Sequence, residues 1–179
     1  VVSGAGGEHV DLPAPLGEAM SDLAQDQLGA TDHIGSVSGW HQGDAAGVEF
    51  DDLVDAKAAL VADLVADGAR VGVTGGSYGG YATAWSSTRY SEEFVAGVMF
   101  VGISNVLSKW GTTDIPTEEY NVHALAYPWE DYEDTLRRSP VFYADQADTP
   151  LLILHGSADP RVSPTQSAAA VIALGAIAR

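Results

Sequence analysis

The segment VGVTGGSYGGYATAW, residues 71–85, constrains the fold of this chain more than any other feature. A valine-rich run typical of a buried strand ends in a crowd of glycines, and an alanine-rich run typical of a helix follows. A chain that passes from a buried strand through a tight turn into a helix forms a βα unit, and such units build parallel sheets. The rest of the sequence is therefore expected to supply more strands for the same sheet.

Further apolar runs at residues 95–102 and 149–156 are predicted to be those strands, beside a first strand at residues 69–75. The predicted helices are residues 51–68 with Gly68 as the stop, 81–88, 130–139 ending before Pro140, and 163–178 with Ser163 as the cap. Residues 103–129 are predicted to be irregular. The order of elements indicates an α/β fold of the α/β-hydrolase type, with a mostly parallel sheet and helices on both faces, incomplete at the C-terminus.

The length and composition indicate a single globular domain over residues 1–179. Acidic residues number 25 against 8 basic ones, for a net charge of −17, which disfavours binding to nucleic acid or to an anionic membrane. This charge is consistent with an ordinary acidic enzyme and with a halophilic protein adapted to high salt. Scarce lysine favours the second, whose stability should rise towards molar salt. The absence of cysteine excludes disulfides and thiolate metal sites.

No apolar run is long enough to span a bilayer, and the first residues do not resemble a signal peptide, so a cytoplasmic location is weakly favoured. Carboxylates cluster in EEF (92–94), TEEY (117–120) and WEDYED (129–134), which raises the alternative of a calcium-binding protein. None of these segments has the glycine-anchored loop of an EF-hand. We therefore expect solvated surface there, and no metal site.

The turn itself fits G-x-S-x-G, the pattern of a nucleophile elbow. Its glycines, Gly75, Gly76 and Gly79, are expected where a Cβ cannot fit, and Ser77 is the candidate nucleophile. The N–H of Tyr78, at the start of the following helix, is the expected oxyanion donor. An incidental serine in a glycine-rich turn and a phosphate loop remain alternatives. A P-loop, however, requires lysine and then serine or threonine after its last glycine, where this chain has tyrosine and alanine.

A serine nucleophile needs a base and a carboxylate that orients the base, and in α/β-hydrolases the acid follows a later strand. Asp159, in the loop after the predicted strand 149–156, meets this description. The rival carboxylates lie in segments that resemble solvated loops or helix faces: Asp114, Asp131, Asp134 and Asp145.

Residues 50–167 closely resemble the catalytic domain of the prolyl oligopeptidase family, particularly its dipeptidyl-peptidase and acylaminoacyl-peptidase branches. The resemblance is carried by RVGVTGGSYGGYAT (70–83), RSPVFYADQADTP (138–150) and TPLLILHGSADPRVSPTQS (149–167). It implies an α/β-hydrolase fold and cleavage of peptide or ester bonds without a cofactor, with Ser77 as nucleophile and Asp159 as acid. It also implies that His155 shapes its loop and is not the catalytic histidine. Residues 1–49 resemble the family only faintly, and no β-propeller domain is expected within residues 1–179.

The catalytic histidine cannot be identified. The family's histidine follows the acid, but no histidine follows Asp159 here, so the chain is either truncated before that residue or has lost it. His41 and His123 are the least implausible substitutes, while His9 and His33 are expected in exposed loops. A serine peptidase, a broad-specificity esterase and a non-catalytic binding module therefore remain open, with a peptide or small ester as the expected ligand.

The final predicted helix carries no charge between residues 168 and 178 and is apolar on all sides. A helix of that kind must be buried or paired. If nothing in the fold covers it, we expect self-association through this helix.

Overall fold

The computed structural model describes residues 48–124 and 126–177, and all of them lie in the compact unit Gly43–Arg179. A single domain over residues 1–179 therefore stays a prediction. The faint resemblance of residues 1–49 falls almost wholly outside the described residues, as do His9, His33 and His41.

Three parallel strands form the sheet in the order β1-β2-β3: β1 Val73–Gly76, β2 Gly97–Phe100 and β3 Leu151–Leu154. The α-helices are α1 Val48–Ala62, α2 Tyr78–Thr88, α3 Val106–Trp110, α4 Pro116–Glu118, α5 Tyr132–Arg137 and α6 Thr165–Ile177. A π-helical turn spans Glu119–Ala124, and 3-10 helices span Gly68–Arg70 and Pro140–Gln146. The α/β class is confirmed, and the predicted irregular region 103–129 contains α3, α4 and the π-helical turn.

The strand register assigns side chains to the two faces of the sheet. Val73, Gly97 and Leu151 are aligned across the strands, and so they share one face. Helix α2 packs there so closely that a Cβ on Gly97 would lie 2.5 Å from the Ser87 hydroxyl oxygen. Helix α6 lies on the same face, since Ala170 and Leu151 line one small cavity with residues of α2. Within the described residues, both helices thus cover this face.

An aromatic core fixes α1 and α2 against the loops after β2 and β3. Its buried members are Phe50, Tyr81, Trp85, Ile103 and Val162. The Phe50 and Tyr81 rings meet edge to face at 5.1 Å between centroids. Such pairs add about 0.5–1.5 kcal/mol to the free energy gained by burial alone. The core therefore holds the beginning of α2 in a fixed position relative to the carboxyl ends of the strands.

Helix α1 ends earlier than predicted, and Gly68 is not its stop. Leu64 adopts φ 60°, the N–H of Leu64 bonds the Val61 carbonyl, and the N–H of Val65 bonds the Leu60 carbonyl. These two bonds form a Schellman motif, whose left-handed residue is usually glycine. The sequence did not reveal this end of α1, because Leu64 and Val65 continue the apolar periodicity of the helix.

The described part of the chain contains no helix long and apolar enough to cross a membrane.

Candidate active site

Ser77 lies between β1 and α2 with φ 57° and ψ −116°, a backbone conformation that residues with side chains rarely adopt. Such strain costs about 1–3 kcal/mol and persists only where the surroundings enforce it. Here the Ser77 N–H donates to the Phe100 carbonyl at 3.1 Å, and the Ser77 carbonyl accepts from Tyr81 N–H at 2.9 Å. The side chain is exposed and makes no capping bond to α2. The turn therefore presents an uncommitted hydroxyl above the carboxyl end of the sheet.

The glycines around Ser77 differ in how strictly they are required. A Cβ on Gly75 would lie 2.4 Å from the Gly79 carbonyl oxygen, and one on Gly76 would lie 3.3 Å from the Phe100 ring. A Cβ on Gly79 would meet nothing within 4 Å. The expected steric requirement at Gly79 is therefore wrong, because the contact involves its backbone and not its missing side chain. Gly80, which the pattern did not single out, is the tight position, as a Cβ there would lie 2.6 Å from Gly102 Cα.

Tyr78 is the first residue of α2. Backbone N–H groups in a first helical turn point out of the helix and, with the helix dipole, favour negative charge nearby. The expected oxyanion donor thus belongs to an eleven-residue helix that starts directly after Ser77. Its ring faces the other way into the aromatic core, 5.3 Å from Tyr81.

Asp159 follows β3 and therefore lies at the same edge of the sheet as Ser77, which follows β1. With β2 between them, the two strand ends are about 10 Å apart, twice the strand spacing. One Asp159 oxygen accepts from the N–H groups of Val162 at 3.0 Å and Arg161 at 2.9 Å. These bonds, that from Val162 foremost, lower the pKa of Asp159 and keep it ionised. The carboxylate is thus fixed at the predicted edge.

The rival carboxylates have other contacts or lie in solvent. Asp114 pairs with Arg161 at 3.2 Å, and Asp131 caps α5 by accepting from the Asp134 N–H. Asp134 pairs with Arg137 at 3.1 Å, and Asp145 is exposed. The assignment of Asp159 as the acid stays a prediction.

Both ring nitrogens of His155 form hydrogen bonds to residues that follow Asp159 in the chain. Nε2 lies 2.7 Å from the Val162 carbonyl, and Nδ1 lies 2.6 Å from the Ser167 hydroxyl. Because a carbonyl only accepts, Nε2 carries the proton and Nδ1 accepts from Ser167. The expectation that His155 shapes the loop fits this geometry, since its ring ties the start of α6 to the segment after Asp159.

His123 lies closer to the turn than its place in an irregular segment suggested. Its ring stacks on Tyr78 at 4.7 Å with 15° between the planes. Burial lowers the pKa of His123, so the ring is neutral at pH 7, and Nε2 lies 3.7 Å from a Glu118 oxygen. This contact was not predictable from sequence, because the two residues are 45 positions apart along the chain.

A cavity of about 30 Å³ opens beside Tyr78. Its wall combines apolar and ionisable side chains: Tyr78, Ile103, Val106, Lys109, Glu119 and His123. Lys109 and Glu119 form a buried ion pair in direct contact. Burial lowers the pKa of Lys109 to about 8, against the opposing effect of the Glu118 and Asp114 carboxylates. A group that enters this cavity would thus meet aromatic and aliphatic walls, the Lys109–Glu119 pair and the Arg138 side chain, which also lines the cavity.

Gln166, at the start of α6, connects the cavity wall to the segment that follows Asp159. The sequence analysis did not identify this residue. The side chain is fully buried, and its Oε1 accepts from the N–H groups of Ser104 at 3.1 Å and Asn105 at 2.9 Å. Its Nε2 donates to the Ser108 hydroxyl at 2.8 Å. One side chain from the start of α6 therefore fixes the loop after β2, which supplies Ile103 and Val106 to the cavity.

No three histidine or acidic side chains within residues 48–124 and 126–177 are grouped so that they could hold a metal ion. The calcium alternative has no support from these residues.

A parallel sheet, a strained serine between a strand and a helix, and a carboxylate after a later strand define the α/β-hydrolase class. Residues 36–176 match the model of the prolyl oligopeptidase family. The chain belongs to this family, and the match extends the recognisable region upstream of residue 50.

Individual relatives agree. The chain is 40% identical over 137 residues to the uncharacterized peptidase YuxL of Bacillus subtilis, covering 74% of this chain and 20% of that protein. The acylaminoacyl peptidase of Pyrococcus horikoshii superposes with a TM-score of 0.67 at 34% identity, covering 75% of this chain and 22% of that one. A puromycin-hydrolyzing peptidase of Mycobacterium tuberculosis superposes with a TM-score of 0.68 at 32% identity, covering 74% of this chain and 20% of that one. The chain thus spans about a fifth of the length of these relatives.

Proposed function

We propose that this chain carries the nucleophile and the acid of a serine peptidase, with Ser77 attacking the acyl carbon of a peptide or ester. The observation that carries the proposal is the strained, exposed Ser77 at the start of α2. In the first step the Ser77 oxygen forms a bond to the carbonyl carbon and transfers its proton to a base. The tetrahedral oxyanion accepts from the Tyr78 N–H. Its collapse breaks the bond to the leaving group, which takes the proton from the base and departs as an amine or alcohol, and leaves an acyl-enzyme on Ser77.

The cavity beside Tyr78 would hold the side chain next to the scissile bond. Its volume of about 30 Å³ and its aromatic and aliphatic walls favour a small apolar side chain, on the order of a methyl group. The named activities of two relatives, acylaminoacyl peptidase and puromycin hydrolase, suggest aminoacyl or acylaminoacyl amides as first substrates to test.

The base is the open part of the proposal. His155 is committed within its loop, and none of residues 160–179 is a histidine. Loss of the base lowers catalysis by several orders of magnitude, while oxyanion stabilisation and binding retain a residual rate. A non-catalytic binding module is the second candidate, and it predicts that Ser77 does not react with a covalent probe.

A fluorophosphonate probe tests the proposal directly. We expect a label on Ser77, none on Ser77→Ala, and unchanged labelling of Ser157→Ala, a control serine exposed in the loop of Asp159. If the base is absent, added imidazole should raise the rates of labelling and of nitrophenyl ester hydrolysis in the native chain and not in Ser77→Ala.

Absence of label and of ester hydrolysis, with and without imidazole, would refute an active hydrolase and leave the binding module. His123→Ala identifies any contribution from that ring. If His123 is the base, this variant loses activity, and imidazole restores it.

A further inference from the structure

Four aromatic side chains form a continuous stack outside the candidate active site. The Tyr127 ring is central, with Trp129 at 4.5 Å and 6° between planes, Tyr120 at 4.6 Å and Trp110 at 5.6 Å. We call this group the aromatic stack. Its members come from the end of α3, the π-helical turn and the segment before α5, so three separate pieces of chain converge on it.

The outer end of the aromatic stack is open to solvent. Trp129 is 75% exposed and Tyr127 is 38% exposed. Only one face of the Trp129 indole contacts Tyr127, so the stacking leaves the opposite face to water. Exposed aromatic surface of this extent contributes little to folding, whereas tryptophan and tyrosine at such positions commonly anchor binding partners.

Carboxylates surround the exposed end. Glu130, Asp131, Glu133 and Asp134 follow Trp129 directly, and residues 126–136 include no basic residue. Glu130 is tied to the aromatic stack, because its Oε2 accepts from the Tyr127 N–H at 2.7 Å. Of the carboxylates, Asp134 is neutralised by Arg137 at 3.1 Å, whereas Glu130 and Glu133 are exposed. Exposed carboxylates thus follow the Trp129 indole in the chain, and one of them, Glu130, is hydrogen-bonded to the backbone of the aromatic stack.

We propose that the aromatic stack is a docking surface for an arginine-bearing polypeptide segment. A guanidinium is planar, stacks on an indole face by cation–π attraction and donates hydrogen bonds to carboxylates beside it. The two features of this surface, an open tryptophan face and exposed carboxylates that follow it in the chain, are the two that a guanidinium uses. A net charge of −17 also attracts basic partners.

The aromatic stack and the cavity wall include residues that are adjacent in sequence. Lys109 and Glu119 line the cavity, and the residue after each of them, Trp110 and Tyr120, belongs to the aromatic stack. The cavity wall and the aromatic stack therefore share two segments of the chain. The proposal does not depend on catalysis, and docking is expected equally in Ser77→Ala.

The experiment is an NMR titration of the 15N-labelled chain, as the Ser77→Ala variant, with a capped peptide that contains two arginines. The comparison peptide has citrulline at both positions, which keeps the shape of the side chain and removes its charge. Trp129→Ala removes the indole, and Glu130→Gln removes the charge while it keeps an acceptor for the Tyr127 N–H. Phe142→Ala, at an aromatic residue that is also exposed but lies in the Pro140–Gln146 helix, is the control.

We expect saturable binding that weakens about two- to fivefold with citrulline, and by a similar factor with Trp129→Ala. Glu130→Gln should weaken it less, and Phe142→Ala should leave it unchanged. Equal affinity for citrulline and arginine peptides, or unchanged affinity in Trp129→Ala, would overturn the proposal. So would no saturable binding up to about 10 mM peptide. Self-association abolished by Trp129→Ala would assign the surface to a second copy and overturn it as well.

Discussion

Substitution of Gly80 by alanine tests the packing that holds the Ser77 turn in place. The added Cβ would lie 2.6 Å from both Gly102 Cα and the Phe100 carbonyl oxygen. Carbon atoms in contact normally lie about 3.5–4.0 Å apart, so α2 or the loop after β2 must move by about 1 Å. Overpacking of this kind costs about 1–3 kcal/mol. Alanine regains up to about 1 kcal/mol of helix propensity, which leaves a net loss of about 2 kcal/mol at the upper end.

Gly79→Ala is the matched control, one residue away in the same helical turn. Its Cβ meets nothing within 4 Å, so only the propensity gain of up to about 1 kcal/mol applies. Thermal unfolding followed by circular dichroism should show Gly80→Ala melting about 4–8 °C lower and Gly79→Ala about 2–4 °C higher than the native chain. The reasoning is refuted if Gly80→Ala is more stable than the native chain, or if Gly79→Ala is the more destabilised of the two.

Three further substitutions test other contacts by urea unfolding. Leu64→Gly should raise the free energy of unfolding by about 1 kcal/mol, because the position has φ 60° and its side chain is 92% exposed. A lower free energy of unfolding would contradict the Schellman assignment. Asp159→Asn should cost about 1 kcal/mol at pH 7, after allowance for solvent screening. The pKa of Asp159 is lowered in the fold, so this contribution is complete above about pH 4 and disappears as the pH falls further; a pH-independent difference would refute the linkage. Lys109→Met should lower the free energy of unfolding by about 3–5 kcal/mol, because it leaves Glu119 buried and unpaired. Adding Glu119→Leu should restore most of this loss. A double variant no more stable than Lys109→Met would refute the assignment.

The local features of the fold were predictable because each is encoded within a few consecutive residues. Apolar runs predicted β1, β2 and β3, and glycines around Ser77 predicted the tight turn between β1 and α2. The position of Asp159 followed from a loop after a strand. In a parallel sheet all strands end at one edge, so even the common location of these two residues followed from topology.

Features that depend on contacts between distant segments were not predictable. The stacking of His123 on Tyr78 and the three hydrogen bonds of Gln166 join residues that are 45 to 62 positions apart in the chain. The need for glycine at position 80 arises from a close approach to Gly102, which no pattern around Ser77 reveals. Tertiary packing, not local sequence, determines each of these features.

Self-association of this chain stays a prediction, and exposed apolar residues define where it would occur. Phe100, Leu152 and Leu154 share the face of the sheet opposite α2, and each is about half exposed. On α6, Ile172 is 71% exposed. Burying such surface against a second copy gains about 25 cal/mol per Å². Light scattering should therefore show association that grows with protein concentration and is reduced by Leu152→Glu, while Leu64→Glu, at an exposed leucine in the turn after α1, has no effect. A chain that stays monomeric and binds no apolar dye would contradict the prediction.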